Sequence, residues 1–177
     1  IEKKDVESIW NLLKSKSLID SKELNKFQNV GKVCVQNGLL NLDTLTLEKA
    51  EKKDYATICL GVKYKGSATC PKWESFLDET FTLYADEKKK AINLLRDFMY
   101  YSLVEGNERH KMLLITGKPR TGKSVISYII TQLLGESNTT SYNFSELSDL
   151  RAIPDLKNKL ANIVGEMSND KVRETAK

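Results

Sequence analysis

The sequence predicts an α/β fold, in which a small helical and β module precedes parallel strands around a glycine-rich loop. Three observations carry this prediction. Asn37-Gly38 lies between two runs of strand-forming residues, which is typical of a β-hairpin. The apolar run 111–116 has the composition of a strand buried on both faces. After the glycine-rich loop, residues 125–134 repeat apolar side chains at helical spacing, and Gly135 is a plausible end of that helix.

Length and composition indicate an ordinary soluble, globular protein. The 177 residues are 40% hydrophobic and 29% charged, enough for one sizeable domain or two small ones. The net charge of +4 permits binding to nucleic acid without requiring it. Three cysteines without a Cys-x-x-Cys pair argue against a disulfide framework and a zinc site, and favour the reducing cytoplasm. No apolar stretch is long enough to span a membrane.

The N-terminal module is expected to hold helices on both sides of a small β unit. Residues 3–16 have an apolar helical face that we expect to pack on the core. Residues 55–62 are rich in strand formers and predict a strand after the hairpin. Pro71 is placed to open one helix, and Asp86 to cap the next. A turn at Glu105-Gly106-Asn107 then divides the chain into domains 1–105 and 106–177.

The central motif is a P-loop pattern, Gly-x-x-x-x-Gly-Lys-Ser. It reads Gly117-Lys118-Pro119-Arg120-Thr121-Gly122-Lys123-Ser124. Phosphate oxygens need backbone N–H groups at a helix N-terminus, and glycines let the main chain approach them. Lys123 would reach the β- and γ-phosphates, and the Ser124 hydroxyl would hold Mg²⁺. All eight residues and Val125 are therefore predicted to bind ATP. Arg120 could contact phosphate or point into water.

A second acidic element is expected downstream of the loop. Residues 139–144 predict a strand, and Ser145 could cap a short helix after it. Residues 160–165 predict a further strand that delivers Glu166 at its end. Such an acid can hold Mg²⁺ through water or polarise the attacking water, although a surface carboxylate at a strand end is the simpler alternative.

These segments together resemble the superfamily-three helicases of phages, plasmids and large DNA viruses, in the primase–helicase branch. The likeness comprises residues 36–42, residues 70–77, the P-loop and residues 160–166. It implies an AAA+-like core and an ATP-driven, hexameric ring that moves on single-stranded DNA, often fused to an upstream primase. By position, Gly117, Gly122, Lys123 and Ser124 match the Walker A motif and Glu166 matches the Walker B acid. Arg120 departs from the glycine of many P-loops, and the family's later sensor and arginine finger have no counterpart here.

The sequence-based interpretation is the ATP-binding part of a replicative DNA helicase from a phage, plasmid or mobile element. Lys123 and Glu166 would be catalytic, with Mg²⁺ held by Ser124 and Glu166. Because the chain starts at Ile1 and stops soon after Glu166, we expect a fragment that binds nucleotide weakly and hydrolyses it negligibly.

Two alternatives stay open. One is a non-hydrolysing DNA- or partner-binding replication module with a structural P-loop, in which Lys52, Lys53 and Lys88 to Lys90 make the contacts. The other is a small-molecule or nucleoside kinase. Such enzymes usually need an arginine-bearing lid, and only Arg151 and Arg173 follow the loop.

Overall fold

The structure is a computed structural model that describes residues 6–12, 31–51, 54, 56–81, 85–104, 109–149 and 152–165. Glu166, Arg151 and Arg173 lie outside these residues, as do Lys52 and Lys53. Residues 6–12 are helical, as predicted. Their large apolar side chains are more than half exposed, so the expectation that this part of the helix packs on the core is wrong.

The predicted hairpin is confirmed and forms part of a three-stranded antiparallel sheet. Its strands are β1 (Lys32–Val35), β2 (Gly38–Asn41) and β3 (Leu47–Glu48), in that order. Gln36 and Asn37 make the turn, because Val35 pairs with Gly38. The Asn37 side chain accepts from the Tyr64 amide at 2.9 Å and donates to the Tyr64 carbonyl at 2.8 Å. It thereby fastens residues 61–64 to the hairpin.

The strand predicted over 55–62 is wrong for its described residues, 56–62. They follow β1 in a parallel direction but form only one isolated bridge, between Cys34 and Cys59. The Leu60 amide donates to the Cys34 carbonyl at 2.8 Å. The chain then bends at Gly61, where a Cβ atom would lie 2.8 Å from the Gln132 carbonyl oxygen. The segment therefore packs against the end of the helix after the glycine-rich loop, and no regular strand forms in these described residues.

The bridge places two free cysteines beside each other and alters one of them. Burial, and then the neighbouring Cys59 thiol, raise the pKa of Cys34 from 9.0 to about 11. Only the thiolate reacts with alkylating reagents, so at pH 8 Cys34 should react about a hundredfold more slowly than an unperturbed thiol. Timed alkylation with iodoacetamide and mass spectrometry would measure this against Cys70, which is exposed. Equal rates at the two sites would contradict it.

The raised pKa of Cys34 also makes the stability of the fold depend on pH. The raised pKa means that the folded chain keeps the neutral thiol while the unfolded chain ionises it above pH 9.0. The contribution of Cys34 to stability is therefore complete below pH 9.0 and is lost as the pH rises through about 11.

Three longer helices follow the first sheet. They are α1 (Pro71–Thr80), α2 (Ala85–Tyr101) and α3 (Lys123–Leu134). Pro71 stands in the first turn of α1, as predicted, because proline lacks the amide that this position leaves unbonded anyway. The prediction for Asp86 is wrong, since this residue lies inside the first turn of α2 rather than at its cap. Helix α3 ends as predicted at Gly135, which has a φ of 94°.

The residues after α3 form a two-stranded parallel sheet. Strand β4 (Thr139–Thr140) pairs with β5 (Ala161–Asn162), and α4 (Phe144–Leu147) and α5 (Ala152–Leu156) connect them. Both strands are shorter than the predicted segments 139–144 and 160–165. A short helix is present as predicted, but it begins at Phe144 and is capped by Asn143 instead of Ser145. Asn143 and Glu146 bond each other's backbone amides in a capping box.

The prediction that residues 111–116 form a strand buried on both faces is wrong. The segment has no regular secondary structure and belongs to no β-ladder among the described residues. Leu113 and Ile115 pack against the core, whereas Met112 is 68% exposed and Leu114 60%. Because no strand pairs with this segment among the described residues, only one of its sides is packed against the core. Among the described residues, the predicted parallel strands are thus limited to the pair β4–β5.

One cluster of buried side chains joins the sheet, the helices and the loop helix. Its fully buried members include Leu77 from α1 and Ile126 and Leu134 from α3. Strands β1 and β2 contribute Val33, Val35 and Leu40. Residues on both sides of the boundary at 105 therefore share this core, and the division into two domains stays a prediction. No helix in the described part of the chain could cross a membrane.

Candidate nucleotide-binding loop

The backbone of residues 117–124 has the open curvature that phosphate binding needs. Gly122 has a φ of 84°, and Arg120 has a φ of 64°, which is uncommon for a residue with a side chain. Arg120 therefore adopts a conformation that glycine would adopt without strain. Between Arg120 and Ser124, no backbone amide donates to any of the described residues. Five consecutive N–H groups at the start of α3 are left for a ligand.

Lys123 lies across this loop. Its ammonium group donates to the carbonyl oxygens of Gly117 at 2.9 Å and Lys118 at 2.6 Å. The Thr121 hydroxyl closes the turn by donating to the same Lys118 carbonyl at 2.8 Å. Within the described residues, Lys123 has no carboxylate partner. Its positive charge is consequently held at the mouth of the loop and is not neutralised.

The remaining predicted ligands of the loop are open to solvent. Lys118, Pro119, Arg120 and Thr121 are exposed, and so are Ser124 and Val125. The Ser124 hydroxyl makes no hydrogen bond with the described residues, so it is free to ligate a cation. Three basic residues, Lys118, Arg120 and Lys123, thus belong to the loop that carries the five unbonded amides. This arrangement suits a polyphosphate and repels a cationic ligand.

The metal site predicted from Glu166 cannot be built from the described residues. The described residues end at Gly165, and none of their atoms outside its chain neighbours lies within 4 Å of its would-be side-chain position. Across the described ranges, no group of three His, Cys, Asp or Glu side chains could hold a metal. The Ser124 hydroxyl is the only predicted Mg²⁺ ligand whose position is described.

Helix α1 forms a wall beside the loop, which the sequence did not reveal. A Cβ atom on Gly122 would lie 2.8 Å from Cζ of Phe76 and 3.2 Å from Oγ1 of Thr80. Trp73, one turn earlier in α1, stacks on Phe76 with ring centroids 5.4 Å apart and an interplanar angle of 18°. The apolar spacing of α1 indicated a buried face but not that this face would meet the loop.

A shallow depression elsewhere is unsuited to phosphate. It is lined by Tyr142, Glu146, Asp149, Ala152 and Asp155. The Tyr142 hydroxyl donates to Asp155 at 2.6 Å, and this bond raises the pKa of Tyr142. Three carboxylates at one depression oppose an anionic ligand, so the loop is the better candidate site.

A comparison with protein families concerns the first part of the chain. Residues 1–82 match the family model described as D5 N terminal like. This is the N-terminal domain of phage and plasmid primase–helicase proteins. No curated protein matches the chain.

The match covers the β unit and α1 and ends before α2. Trp73, Phe76 and Thr80 therefore belong to the matched region, whereas the loop at residues 117–124 lies beyond it. The contact between Phe76 and Gly122 consequently joins the region that matches the D5 N terminal like family to the candidate nucleotide site.

Proposed function

We propose that this chain is the ATP-binding part of a replicative DNA helicase of the primase–helicase type. The observation that carries the proposal is the run of five unbonded amides, Arg120 to Ser124, beneath the Lys123 ammonium group. The D5 N terminal like match supports the replication context. In a full-length hexameric ring, hydrolysis of ATP would drive movement along single-stranded DNA.

The roles of the loop residues follow from their positions. The amides and Lys123 would bind the β- and γ-phosphates and stabilise the charge that develops on the transferred phosphoryl group. Ser124 and Glu166 are the residues that would hold Mg²⁺, which would supply positive charge to the phosphates when bound. These assignments leave Arg120 for a further phosphate contact, since its side chain is exposed and has no partner among the described residues.

The test is a titration with a fluorescent ATP analogue and Mg²⁺. We expect saturable binding by the wild type and an affinity about ten- to a hundredfold lower in Lys123→Ala, because a hydrogen bond from a charged group contributes about 1.5–3 kcal/mol. Lys157→Ala removes the same charge from an exposed position outside the loop and should bind like the wild type. Equal affinity of Lys123→Ala and the wild type would contradict the proposal.

One observation weighs against the DNA-binding alternative based on Lys88 to Lys90. Lys88 forms an ion pair with Asp78 at 3.1 Å and donates to the Asp78 carbonyl at 2.6 Å. Its charge is thus used to join α2 to α1 and is less available to a phosphate backbone. The kinase alternative has no support from the described residues, because both arginines on which a lid would depend lie outside them.

A further inference from the structure

The pair Trp73–Phe76 gives the loop a feature that its motif does not explain. The loop itself offers amides, cations and a hydroxyl, which bind phosphate but cannot distinguish a nucleotide from inorganic polyphosphate. A nucleotide also carries an aromatic base that is stabilised by stacking on a flat side chain. A base site is therefore expected among the aromatic side chains beside the loop.

Phe76 is the aromatic side chain in direct contact with the loop. Its ring edge lies so close to Gly122 that a single added carbon on the glycine would be 2.8 Å from Cζ and 2.9 Å from Cε2. Trp73 is three residues earlier in α1, about 4.5 Å along the helix axis. The two rings are nearly parallel, so Trp73 and Phe76 form one stacked aromatic pair.

The two rings have different neighbours, and this gives them different roles. Both are partly buried and pack against the core cluster, which fixes their orientation. Phe76 has one edge against the loop and one face against Trp73, so it supports the pair. Trp73 stacks on Phe76 and is only partly buried, so part of the residue stays open to solvent and could contact a base.

We propose that Trp73, supported by Phe76, is the platform on which the base of a nucleoside triphosphate stacks when the loop holds its phosphates. The inference rests on the proposed function and names the part of the ligand that the P-loop pattern leaves unassigned. Residues of the D5 N terminal like region would then contribute directly to the nucleotide site, and the site would be incomplete without α1.

The test compares ATP with inorganic triphosphate, both with Mg²⁺, by calorimetry. Trp73→Leu keeps an apolar side chain for the core but removes the aromatic face. Stacking on an aromatic residue contributes roughly 1–3 kcal/mol per base, so we expect about a ten- to hundredfold loss of ATP affinity. Triphosphate affinity should stay within about twofold of the wild type, and Trp73→Phe should recover most of the ATP affinity.

Two controls make the result specific. Tyr128→Ala removes an aromatic ring that is 61% exposed on α3 and should change neither affinity. In Trp10→Phe, Trp73 becomes the sole tryptophan, because the chain has two. A methylanthraniloyl-ATP analogue should then quench its fluorescence by energy transfer, and excess unlabelled ATP should reverse the quenching.

The failure of each proposal has its own signature. A wild type that binds neither ATP nor triphosphate would overturn the proposed function and the platform with it. If Trp73→Leu weakens both ligands equally, or neither, the loop still binds phosphate but the platform is wrong. Loss of ATP affinity in Tyr128→Ala instead would move the base to the other side of α3 and overturn the proposal as well.

Discussion

Replacing Gly122 with alanine should destabilise the chain by about 2–5 kcal/mol and abolish binding of ATP. Two costs add at this position. The backbone has a φ of 84°, and the left-handed conformation costs a residue with a Cβ about 1–2 kcal/mol. The new carbon would also lie 2.8 Å from the Phe76 ring, and overpacking of this kind typically costs about 1–3 kcal/mol. Chemical denaturation measures the loss of stability, and titration with the ATP analogue measures the loss of binding.

The matched control is Gly165→Ala. Gly165 is exposed, has no positive φ and has no atom of the described residues within 4 Å of its would-be side chain, so the substitution should be nearly neutral. A double-mutant cycle with Phe76→Ala separates the two costs, because only the steric one depends on the ring. If Gly122→Ala costs as much without the ring as with it, the contact between α1 and the loop has no energetic role.

Asn138→Ala should lower the free energy of unfolding by about 2–4 kcal/mol. Asn138 is 7% exposed, and its amide group donates to the Cys59 carbonyl at 2.6 Å and to the Leu134 carbonyl at 2.7 Å. Alanine leaves the Cys59 carbonyl without this donor, at about 1–3 kcal/mol if it stays buried. The Leu134 carbonyl keeps the Gly61 amide as a donor at 3.3 Å, so the bond lost there costs only about 1 kcal/mol more. For a chain of this size, the loss corresponds to a fall in Tm of roughly 5–15 °C.

Asn93→Ala provides the comparison for that measurement. Asn93 is exposed on α2 and makes no hydrogen bond with the described residues, so its removal should change stability by no more than about 0.5 kcal/mol. Calorimetric melting of both variants is sufficient. A Tm for Asn138→Ala that matches that of Asn93→Ala would show that water replaces the lost donor.

The features that the sequence predicted correctly depend on neighbouring residues alone. The turn at Asn37, the proline at the start of α1 and the glycine at the end of α3 each follow from the conformational preferences of one or two residues. The unbonded amides lie within the P-loop pattern, since a glycine-rich turn before a helix leaves them without partners. Whether this loop binds phosphate stays a prediction.

The features that sequence reasoning missed depend on distant contacts. Whether Met112 and Leu114 are buried depends on a strand beside them, which composition cannot supply. In the sequence, nothing distinguishes Asn138 from an ordinary loop residue. Its role comes from a hydrogen bond to the Cys59 carbonyl, which is 79 positions away in the chain. The position of Phe76 at the loop is of the same kind, since only the packing of α1 on α3 brings it there. The role of Glu166 stays a prediction.

Helix α3 is held at both of its ends by the part of the chain that precedes residue 82. At the first turn Phe76 contacts Gly122, and at the last turn Gly61 approaches Gly135 so closely that neither glycine has room for a side chain. The Gly61 amide also donates to the Leu134 carbonyl at 3.3 Å. Any movement of α3 relative to this part of the chain would therefore have to displace Phe76 or Gly61 as well. A shift of the loop would for that reason be transmitted to the N-terminal region instead of staying confined to the loop.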